Sequence, residues 1–345
     1  MNNSSSEVSV CVVGLGHWGP NLVRSFENHP AVKNVVAVEP SQSRVAVVKE
    51  RLPHIKIYSD LKEALNDDNI SCFAVATPTA THFKVGMEIL SRGKHLLMEK
   101  PLAHNRESAE ILVRTARENN CILMTGHVFL FNNGIIEMKR LIDEGSIGRV
   151  MYARSLRTNL GPIRKDVDAL WDLATHDISI FNYIFDSTPA QVSCTKLAPL
   201  GLHQYDLAQA TLIYPNNRSA MIFVSWLDPQ KKREITVVGA EKMVVFDDMK
   251  PEAPLAIYEK GVTVEQERTY FDTFESFRLS IFEGNVTVPE VKTGQPLSNE
   301  CCYFIDTVLG KKPLKCDGEE GKKVVEILEA LDLSASQGGK LVSLW

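Results

Sequence analysis

The chain has 345 residues, of which 44% are hydrophobic and 23% are charged, and its formal net charge at pH 7 is −5. This length suggests two domains, and the composition is that of a globular protein with enough apolar residues for two cores. The acidic balance and the lack of a Lys/Arg cluster in the sequence argue against a nucleic-acid partner. No apolar run is long enough to span a membrane, so we expect no membrane partner either.

The cysteines and the first residues of the chain indicate the compartment. The seven cysteines are scattered, without a C-x-x-C pair or a His/Cys spacing typical of a metal site. An odd number of thiols without a pairing pattern is typical of a reducing environment. Residues 1–6 are polar and lack the apolar core of a signal peptide. We therefore expect a cytoplasmic protein that holds no metal.

A glycine motif, G-x-G-x-x-G, lies between an apolar run and the start of a helix. The run Val8–Val13 is rich in β-branched residues and predicts a buried strand, and Pro20 suits the first turn of a helix. In this context Gly14 permits a tight turn, Gly16 lets the backbone approach a pyrophosphate, and Gly19 lets helix and strand pack closely. The motif predicts a dinucleotide site; the alternative is a tight turn that binds nothing.

The second predicted strand ends in an acid, Glu39. An acid in this position accepts hydrogen bonds from the ribose hydroxyls of NAD and repels the 2′-phosphate of NADP. Ser41 and Arg44 follow closely and could hold that phosphate. The sequence therefore favours NAD and leaves NADP open, and the alternative role of Glu39 is that of a solvated acid in a turn.

Strands and helices alternate through the first part of the chain, which predicts an α/β fold with a mostly parallel, doubly wound sheet. The strands are predicted at 8–13, 34–39, 55–58, 72–76, 95–98 and 121–124, and the helices start near Pro20, Asp60, His82 and Asn105. The carboxyl ends of the strands face the ligand crevice. Two groups of residues lie there and are candidate cofactor contacts: Thr77, Pro78 and Thr79 after one strand, and Glu99 and Lys100 after the next. His82 is either a further cofactor contact or a packing residue.

The second part of the chain predicts helices at 133–144, from 172, at 298–309 and at 318–333, and strands at 149–157, 191–198, 206–214, 219–226, 234–238 and 243–247. Apolar alternation between short turns predicts an antiparallel meander. Ile222, Val224 and Trp226 share one face, whereas Met221 and Phe223 share the other. Since both faces are apolar, we expect another subunit to cover the second one.

Taken in order, these features resemble the glucose–fructose oxidoreductase / inositol dehydrogenase (Gfo/Idh/MocA) family over nearly the whole chain. The resemblance rests on Gly14–Pro20, Ala76–Thr79 with His82, Gly93–His95 leading to Glu99–Pro101, Gly126-His127, Glu144–Gly148, and Asp172 with His176. Three stretches also resemble the branch of UDP-N-acetylglucosamine or UDP-N-acetylglucosaminuronate 3-dehydrogenases: Trp18–Arg24, Arg157–Gly161 and Trp171–Ser179.

The resemblance implies a Rossmann domain at 1–126 and an α/β domain at 127–345, whose large, mainly antiparallel open sheet forms a homodimer or homotetramer. It also implies a tight Lys100–Pro101 peptide bond that is a candidate for the cis form. Two positions depart from the pattern. Glu39 stands where the family usually has Asp, which leaves the NAD preference unproven, and Thr175 stands where the sugar-nucleotide branch has Pro, which weakens the substrate assignment.

Oxidation of a secondary alcohol needs a base, a hydride acceptor and a positive group near the developing alkoxide. His176 is the candidate base, because its ordinary pKa of about 6.5 is near the working pH. Lys100 is the candidate that stabilises the alkoxide. Asp172, four residues before His176, either orients that residue or binds a sugar hydroxyl. The alternative is that His176 packs in the core and Lys100 is solvated, without a catalytic role for either. The family pattern favours the catalytic roles.

Further candidate contacts complete the predicted site. His17 and Trp18 of the glycine motif are assigned to the cofactor, and Arg157, Asn159 and Arg164 to an acetamido, carboxylate or diphosphate group of the substrate. We expect NAD(P)-dependent oxidation at C3 of a UDP-linked N-acetylated hexosamine or its uronate, which would feed an aminotransferase. The alternatives are an inositol or free-aldose dehydrogenase and, in another class, a sugar or cofactor sensor.

Overall fold

The computed structural model describes residues 7–164, 166–201, 204–259, 261–263, 280–282 and 284–344. Residues 1–6, which we expect not to be a signal peptide, lie outside the described residues. The described residues form two compact units: the first contains those within 1–132, 165–167 and 294–329, and the second contains those within 133–164, 168–293 and 330–345. The predicted domain boundary between 126 and 127 stays a prediction.

A six-stranded sheet organises the first unit. Its strands are β1 (Val8–Val13), β2 (Val32–Val38), β3 (Lys56–Tyr58), β4 (Ile70–Val75), β5 (His95–Glu99) and β6 (Leu123–Gly126). Its helices are α1 (Gly19–Glu27), α2 (Gln42–Arg51), α3 (Leu61–Leu65), α4 (Thr79–Leu90) and α5 (Arg106–Glu118), with a 3₁₀ turn at Val128–Phe131. All pairs are parallel and the order is β3-β2-β1-β4-β5-β6. This is the Rossmann strand order, which confirms the predicted doubly wound sheet.

Local signals account for most of these elements. Every residue of β1 is buried, as its apolar run requires, and Asn105 caps α5 by accepting a hydrogen bond from the Ser108 N–H at 2.8 Å. The helix α2 is absent from the sequence prediction because it buries only Val48 and has no apolar stripe to reveal it. The helix α4 begins at Thr79 rather than at His82, because Pro78 already starts the turn.

Two late helices supply elements to the first unit, α8 (Pro296–Val308) and most of α9 (Gly318–Ser336). The Phe304 ring packs edge-on against that of Phe26 in α1, with ring centres 6.3 Å apart. The Asp306 carboxylate also lies 3.2 Å from the Nε2 atom of His29. Residues 294–329 therefore return to pack on the first unit, although they are far from it in the sequence.

The second unit contains the helices α6 (Asn133–Asp143) and α7 (Thr175–Phe185), and a π turn at Leu170–Ala174. Its main strands are β7 (Val150–Leu160), β8 (Gln191–Leu197), β9 (Leu207–Tyr214), β10 (Arg218–Ser225), β11 (Leu227–Gly239), β12 (Met243–Asp247) and β13 (Leu255–Tyr258). The short strands are β14 (Gly261–Thr263), β15 (Ser280–Phe282), β16 (Val286–Thr287) and β17 (Val342–Ser343). A nine-stranded sheet has the order β16-β13-β12-β11-β7-β10-β9-β8-β17, and β14 pairs with β15.

The large sheet is mainly antiparallel, as predicted, but it is not a simple meander. The strand β7 lies between β10 and β11 and runs parallel to β10. The sequence pattern could not show this insertion, because alternation identifies a strand without identifying its neighbour. Ile222 and Val224 are buried, whereas Met221 on the other face is 40% exposed. That a second subunit covers this face stays a prediction.

No helix within the described ranges combines the length and the apolar character that crossing a bilayer would require.

Candidate active site

The three glycines of the motif after β1 have different surroundings. A Cβ atom at Gly14, which has a φ of +92°, would lie 2.8 Å from the Thr77 Cγ2 atom. A Cβ atom at Gly19 would lie 2.1 Å from the Gly14 carbonyl oxygen. A Cβ atom at Gly16 would meet nothing within 4 Å. Gly14 and Gly19 therefore serve the turn and its packing, whereas Gly16 leaves an open approach to the backbone that fits a pyrophosphate.

This difference predicts separable effects of two matched substitutions. Gly16→Ala is expected to leave the thermal midpoint unchanged and to weaken NAD binding at least ~10-fold, because its methyl group would occupy the approach to the phosphates. Gly14→Ala is expected to lower the midpoint as well, because of its positive φ and its contact with Thr77. Calorimetric titration with NAD and thermal unfolding of both variants measure this, and a Gly16→Ala variant with full affinity would contradict it.

The N-terminal end of helix α1, next to the glycine motif, favours the binding of an anion. Its N-cap residue, Trp18, makes no side-chain hydrogen bond to the helix, so the terminal N–H groups keep the polarity that attracts phosphate. Trp18 is 44% exposed, and its ring meets the exposed His17 ring edge-on with centres 5.8 Å apart. Both side chains are therefore accessible beside the predicted pyrophosphate site.

Glu39 is buried at the end of β2 and holds the glycine motif in place. Its carboxylate accepts a hydrogen bond from the Leu15 N–H at 2.9 Å and another from the Ser41 N–H at 3.0 Å. A carboxylate has about four acceptor positions, so it can still accept from ribose hydroxyls. The Arg44 guanidinium lies 4.0 Å from it and is 60% exposed. The residues present thus fit a dinucleotide.

His82 ties together the ends of two neighbouring strands. Its Nδ1 atom lies 2.9 Å from the Pro101 carbonyl oxygen, and its Nε2 atom lies 3.0 Å from that of Thr77. The ring is buried, as is Thr79, whereas Pro78 is exposed. These contacts give His82 a role in shaping the crevice, and its contact with a cofactor stays a prediction.

Lys100 follows β5 directly and is half-buried. Its backbone N–H donates to the Glu99 Oε2 atom at 3.2 Å, and its peptide bond to Pro101 is cis, as the resemblance implies. The nearby His127 is fully buried, and burial, followed by the Lys100 charge, lowers the pKa of its imidazole to about 4. The ring is therefore neutral near pH 7, and Lys100 lies at the end of β5 with a buried, neutral histidine nearby.

Asp172 and His176 lie at the start of the long helical segment of the second unit. Asp172 is in the π turn, a rare geometry that often occurs at functional sites, and His176 is in the first turn of α7. The Asp172 carboxylate accepts from the Arg164 Nη1 atom at 2.9 Å and from the Trp226 Nε1 atom at 3.3 Å. Two donors from separate segments therefore fix the orientation of this carboxylate.

A second ion cluster fixes the π turn from the side of Trp171. The Lys196 ammonium lies 2.9 Å from the Asp168 carboxylate and 2.5 Å from that of Asp332. The Trp171 Nε1 atom donates to Asp332 at 2.7 Å, and the Trp171 N–H donates to Asp168 at 3.1 Å. Because Lys196 is only 10% exposed, this cluster is a structural anchor for the segment that carries Asp172.

The residues assigned to the substrate in the second unit have different partners. Arg164 pairs with Asp172, and Asn159 donates a hydrogen bond to the Gly161 carbonyl oxygen. Arg157 is buried and makes three hydrogen bonds of 2.8–3.1 Å to the Asp177 carboxylate. The substrate contacts of Arg157, Asn159 and Arg164 stay predictions, and the structure gives Arg157 a structural partner.

Two family models match this chain. The model described as "Oxidoreductase family, NAD-binding Rossmann fold" matches residues 8–127, and that of the "GFO/IDH/MocA C-terminal domain" matches residues 135–245. The chain belongs to the Gfo/Idh/MocA oxidoreductase family. Its first unit is thus the NAD-binding fold of that family, in agreement with the predicted cofactor.

Relatives in this family differ in the part of the chain that they match. An uncharacterised oxidoreductase of Streptococcus pneumoniae is 32% identical over 61% of this chain and 60% of its own length. The scyllo-inositol 2-dehydrogenase (NAD(+)) of Bacillus subtilis is 29% identical over 54% of this chain and 56% of its own length. The UDP-N-acetylglucosamine 3-dehydrogenase of Acidithiobacillus ferrooxidans is 23% identical over 91% of this chain and 93% of its own length. The chain therefore spans little more than half the length of the first two proteins.

Two solved structures share the fold of this chain over nearly its whole length. The UDP-N-acetylglucosamine 3-dehydrogenase GnnA from A. ferrooxidans has a TM-score of 0.78 at 20% identity, covering 96% of this chain and 98% of its own. GenD2 from gentamicin A biosynthesis, solved in complex with NAD, has a TM-score of 0.79 at 23% identity, covering 98% of this chain and 96% of its own. At these identities the likeness concerns the fold.

Sequence reasoning did not single out three further buried or partnered residues, Trp226, Asp177 and Glu300. Trp226 and Asp177 are recognised only through their partners, Asp172 and Arg157, from which they are separated along the chain. A different signal existed for Glu300, an acid that shares the buried side of α8 with Cys301, Phe304, Ile305 and Thr307. An ionisable residue on an apolar stripe is unusual and indicates a special environment.

Proposed function

We propose that this family member is an NAD-dependent dehydrogenase that oxidises a secondary hydroxyl of a sugar, with C3 of a UDP-linked N-acetylated hexosamine or its uronate as the favoured position. The observation that carries the reaction type is the fixed Asp172 carboxylate with His176 four residues later, in a chain whose other unit presents Lys100 at a strand end. The likeness to a UDP-N-acetylglucosamine 3-dehydrogenase over 91% of the chain supports the substrate class.

Each residue has a defined role in this proposal. His176 accepts the hydroxyl proton, and Asp172 orients the imidazole or binds a neighbouring hydroxyl. Lys100 stabilises the negative charge that develops on the oxygen. Gly16 and the end of α1 hold the pyrophosphate, and Glu39 receives the ribose hydroxyls. The nicotinamide, when bound, supplies the hydride acceptor.

A second candidate is an inositol or free-aldose dehydrogenase. The scyllo-inositol 2-dehydrogenase of B. subtilis, at 29% identity, supports it. Its match covers only 54% of this chain, whereas the sugar-nucleotide enzyme matches 91%. The second candidate needs the same base and the same lysine, so the reaction at the hydroxyl is the same in both candidates. They differ in the part of the substrate that binds next to the reacting hydroxyl.

An absorbance assay for reduced nicotinamide distinguishes the candidates. We expect a rising signal with NAD and UDP-N-acetylglucosamine or its uronate, and a weaker one with NADP because Glu39 repels a 2′-phosphate. A coupled aminotransferase with its amino-acid donor consumes the keto product and so removes an unfavourable equilibrium while the reduced nicotinamide accumulates. Thermal shifts with the same sugars report binding independently. Activity with myo-inositol or a free aldose, together with silence on sugar nucleotides in the coupled assay, would replace the first candidate with the second.

A further inference from the structure

An exposed tyrosine, Tyr205, lies in the loop between β8 and β9 and belongs to none of the roles described above. It is 43% exposed, and Leu200 of the same loop is exposed as well. The backbone of this loop is fixed, because the buried Asp206 carboxylate accepts a hydrogen bond from the Leu200 N–H at 3.0 Å. Exposed apolar side chains on a fixed backbone form a candidate contact surface for another molecule.

The Tyr205 ring is held from one side by a cation. The Lys196 ammonium lies over the ring, 4.5 Å from its centre, and such a contact is attractive. The ammonium is itself held by the carboxylates of Asp168 and Asp332 at 2.9 and 2.5 Å. The Tyr205 carbonyl oxygen also accepts a hydrogen bond from the Ala169 N–H at 3.0 Å. Because the cation occupies one face, the exposed surface of the ring lies on its other face and its edge.

Two backbone contacts connect this tyrosine with the Asp172 carboxylate. The first is the bond from Ala169, which immediately precedes the π turn that contains Asp172. The second runs through the next residue: the Trp226 N–H donates to the Asp206 carbonyl oxygen at 3.0 Å, and the Trp226 indole donates to Asp172. All of these residues belong to the second unit. Tyr205 therefore lies close to the segment that carries the candidate base.

The large sheet brings the tyrosine and the candidate site to one edge. The ends of β8, β10 and β7 and the start of β9 form a row there, through the pairs Leu197–Leu207, Leu207–Ser225 and Ser225–Thr158. Four strands at about 4.8 Å spacing give this row a length of ~14 Å. Arg164, which pairs with Asp172, follows β7 at one end of the row, and Tyr205 precedes β9 near the other end. An extended ligand whose sugar lies at Asp172 therefore has a path along this edge to Tyr205.

We propose that Tyr205 binds the nucleobase of the sugar nucleotide: the base stacks on the open face of the ring while the sugar lies at Asp172 and His176. Flat aromatic rings stack in offset arrangements, and a stack on the π face of a base needs no hydrogen bond to it. This inference rests on the proposed function and names the contact that separates its two candidates. An inositol or a free aldose has no base and gains nothing from Tyr205.

Binding of UDP to the full chain saturated with NADH tests the proposal. NADH fills the dinucleotide site, so calorimetric titration with UDP then reports a second site. Tyr205→Leu, which removes the ring and keeps an apolar side chain, is expected to weaken UDP binding at least ~5-fold, the smaller effect of losing one base–aromatic stack. Tyr205→Phe keeps the ring and should bind UDP within about twofold of wild type. Tyr152→Leu is a matched control, since it removes an exposed tyrosine of β7 and should leave the UDP affinity unchanged.

Inorganic pyrophosphate separates stacking from general damage to the site. It has the diphosphate of UDP without the base, so its affinity should be equal in wild type and Tyr205→Leu. In saturation-transfer NMR with wild type, the uracil protons of UDP should receive more saturation than the ribose protons. This excess should disappear in Tyr205→Leu and persist in Tyr205→Phe.

These readouts do not require turnover of a sugar. If no sugar is oxidised while UDP binding still depends on the Tyr205 ring, the proposed function fails and the inference stands. A wild-type protein that binds no UDP would overturn the inference, whatever its activity with free sugars. An unchanged UDP affinity in Tyr205→Leu would also overturn it, and a change of oligomeric state in that variant would then assign the ring to a contact between subunits.

Discussion

Replacing Lys100 with Met, or His176 with Asn, is expected to lower kcat by at least ~100-fold in each case, the scale of a lost alkoxide-stabilising group or general base. His176→Asn removes the group that accepts the hydroxyl proton and keeps a polar side chain of similar reach. Lys100→Met keeps the apolar stem and removes the positive charge that the developing alkoxide needs. Both effects should appear in kcat, because each interaction strengthens as the proton and the hydride leave.

Matched controls separate this result from general damage. Lys33→Met removes a lysine that is 63% exposed, and His54→Asn removes a histidine that is 59% exposed, so both should retain wild-type turnover. The double variant of Lys100 and His176 should lose less than the product of the two single losses, because residues that act on one oxygen are not additive. Turnover near the wild-type value in both single variants would refute the assignment of the site.

Most of the cofactor-binding architecture could be predicted because its signals are local. The apolar run of β1, the glycine spacing and the proline at the start of α1 are adjacent in the chain and specify one strand, one turn and one helix. The surroundings of the glycines then agree with the roles expected from their order, with Gly16 alone among the three open to a ligand. Parallel alternation likewise predicts that Lys100 follows a strand.

The rest of the site depends on contacts that no local pattern contains. Asp172 is fixed partly by Trp226, which comes from the strand region 54 residues later, and the chain order gives no sign of that meeting. The insertion of β7 between β10 and β11 was equally hidden from the sequence. The alternation of apolar and polar residues along a strand is the same whichever strand lies next to it. The π turn at Leu170–Ala174 also escaped prediction, since its sequence has ordinary helical character.

Glu300 and His127 are intermediate cases. The buried side of α8 includes an acid at a position where an apolar residue is expected, and this departure from the pattern could have been recognised in the sequence. The sequence thus indicates that such a residue is unusual, and the structure shows that it is buried without a hydrogen-bond partner among the described residues.

The ion pair of Arg157 and Asp177 is expected to be the strongest single support of the segment that carries His176. The two side chains are 5% and 1% exposed, and three hydrogen bonds join them. Arg157→Met or Asp177→Leu alone should lower the free energy of unfolding by about 3–5 kcal/mol, because each leaves an uncompensated buried charge. Urea unfolding at neutral pH measures this, and Arg140→Met, at an exposed ion pair with Glu144, is the control that should change little.

The double variant Arg157→Met/Asp177→Leu gives the decisive comparison. Replacing both charges by apolar side chains removes the desolvation cost together with the attraction, so most of the stability lost in either single variant should return. Burial raises the pKa of Asp177 while the Arg157 guanidinium opposes that rise, which is the balance that the double variant abolishes. If Arg157 also binds substrate, the double variant will regain stability without regaining KM. If its task is structural, stability and KM will return together. Single-variant losses below about 1 kcal/mol in the free energy of unfolding would contradict the expected contribution of this pair to stability.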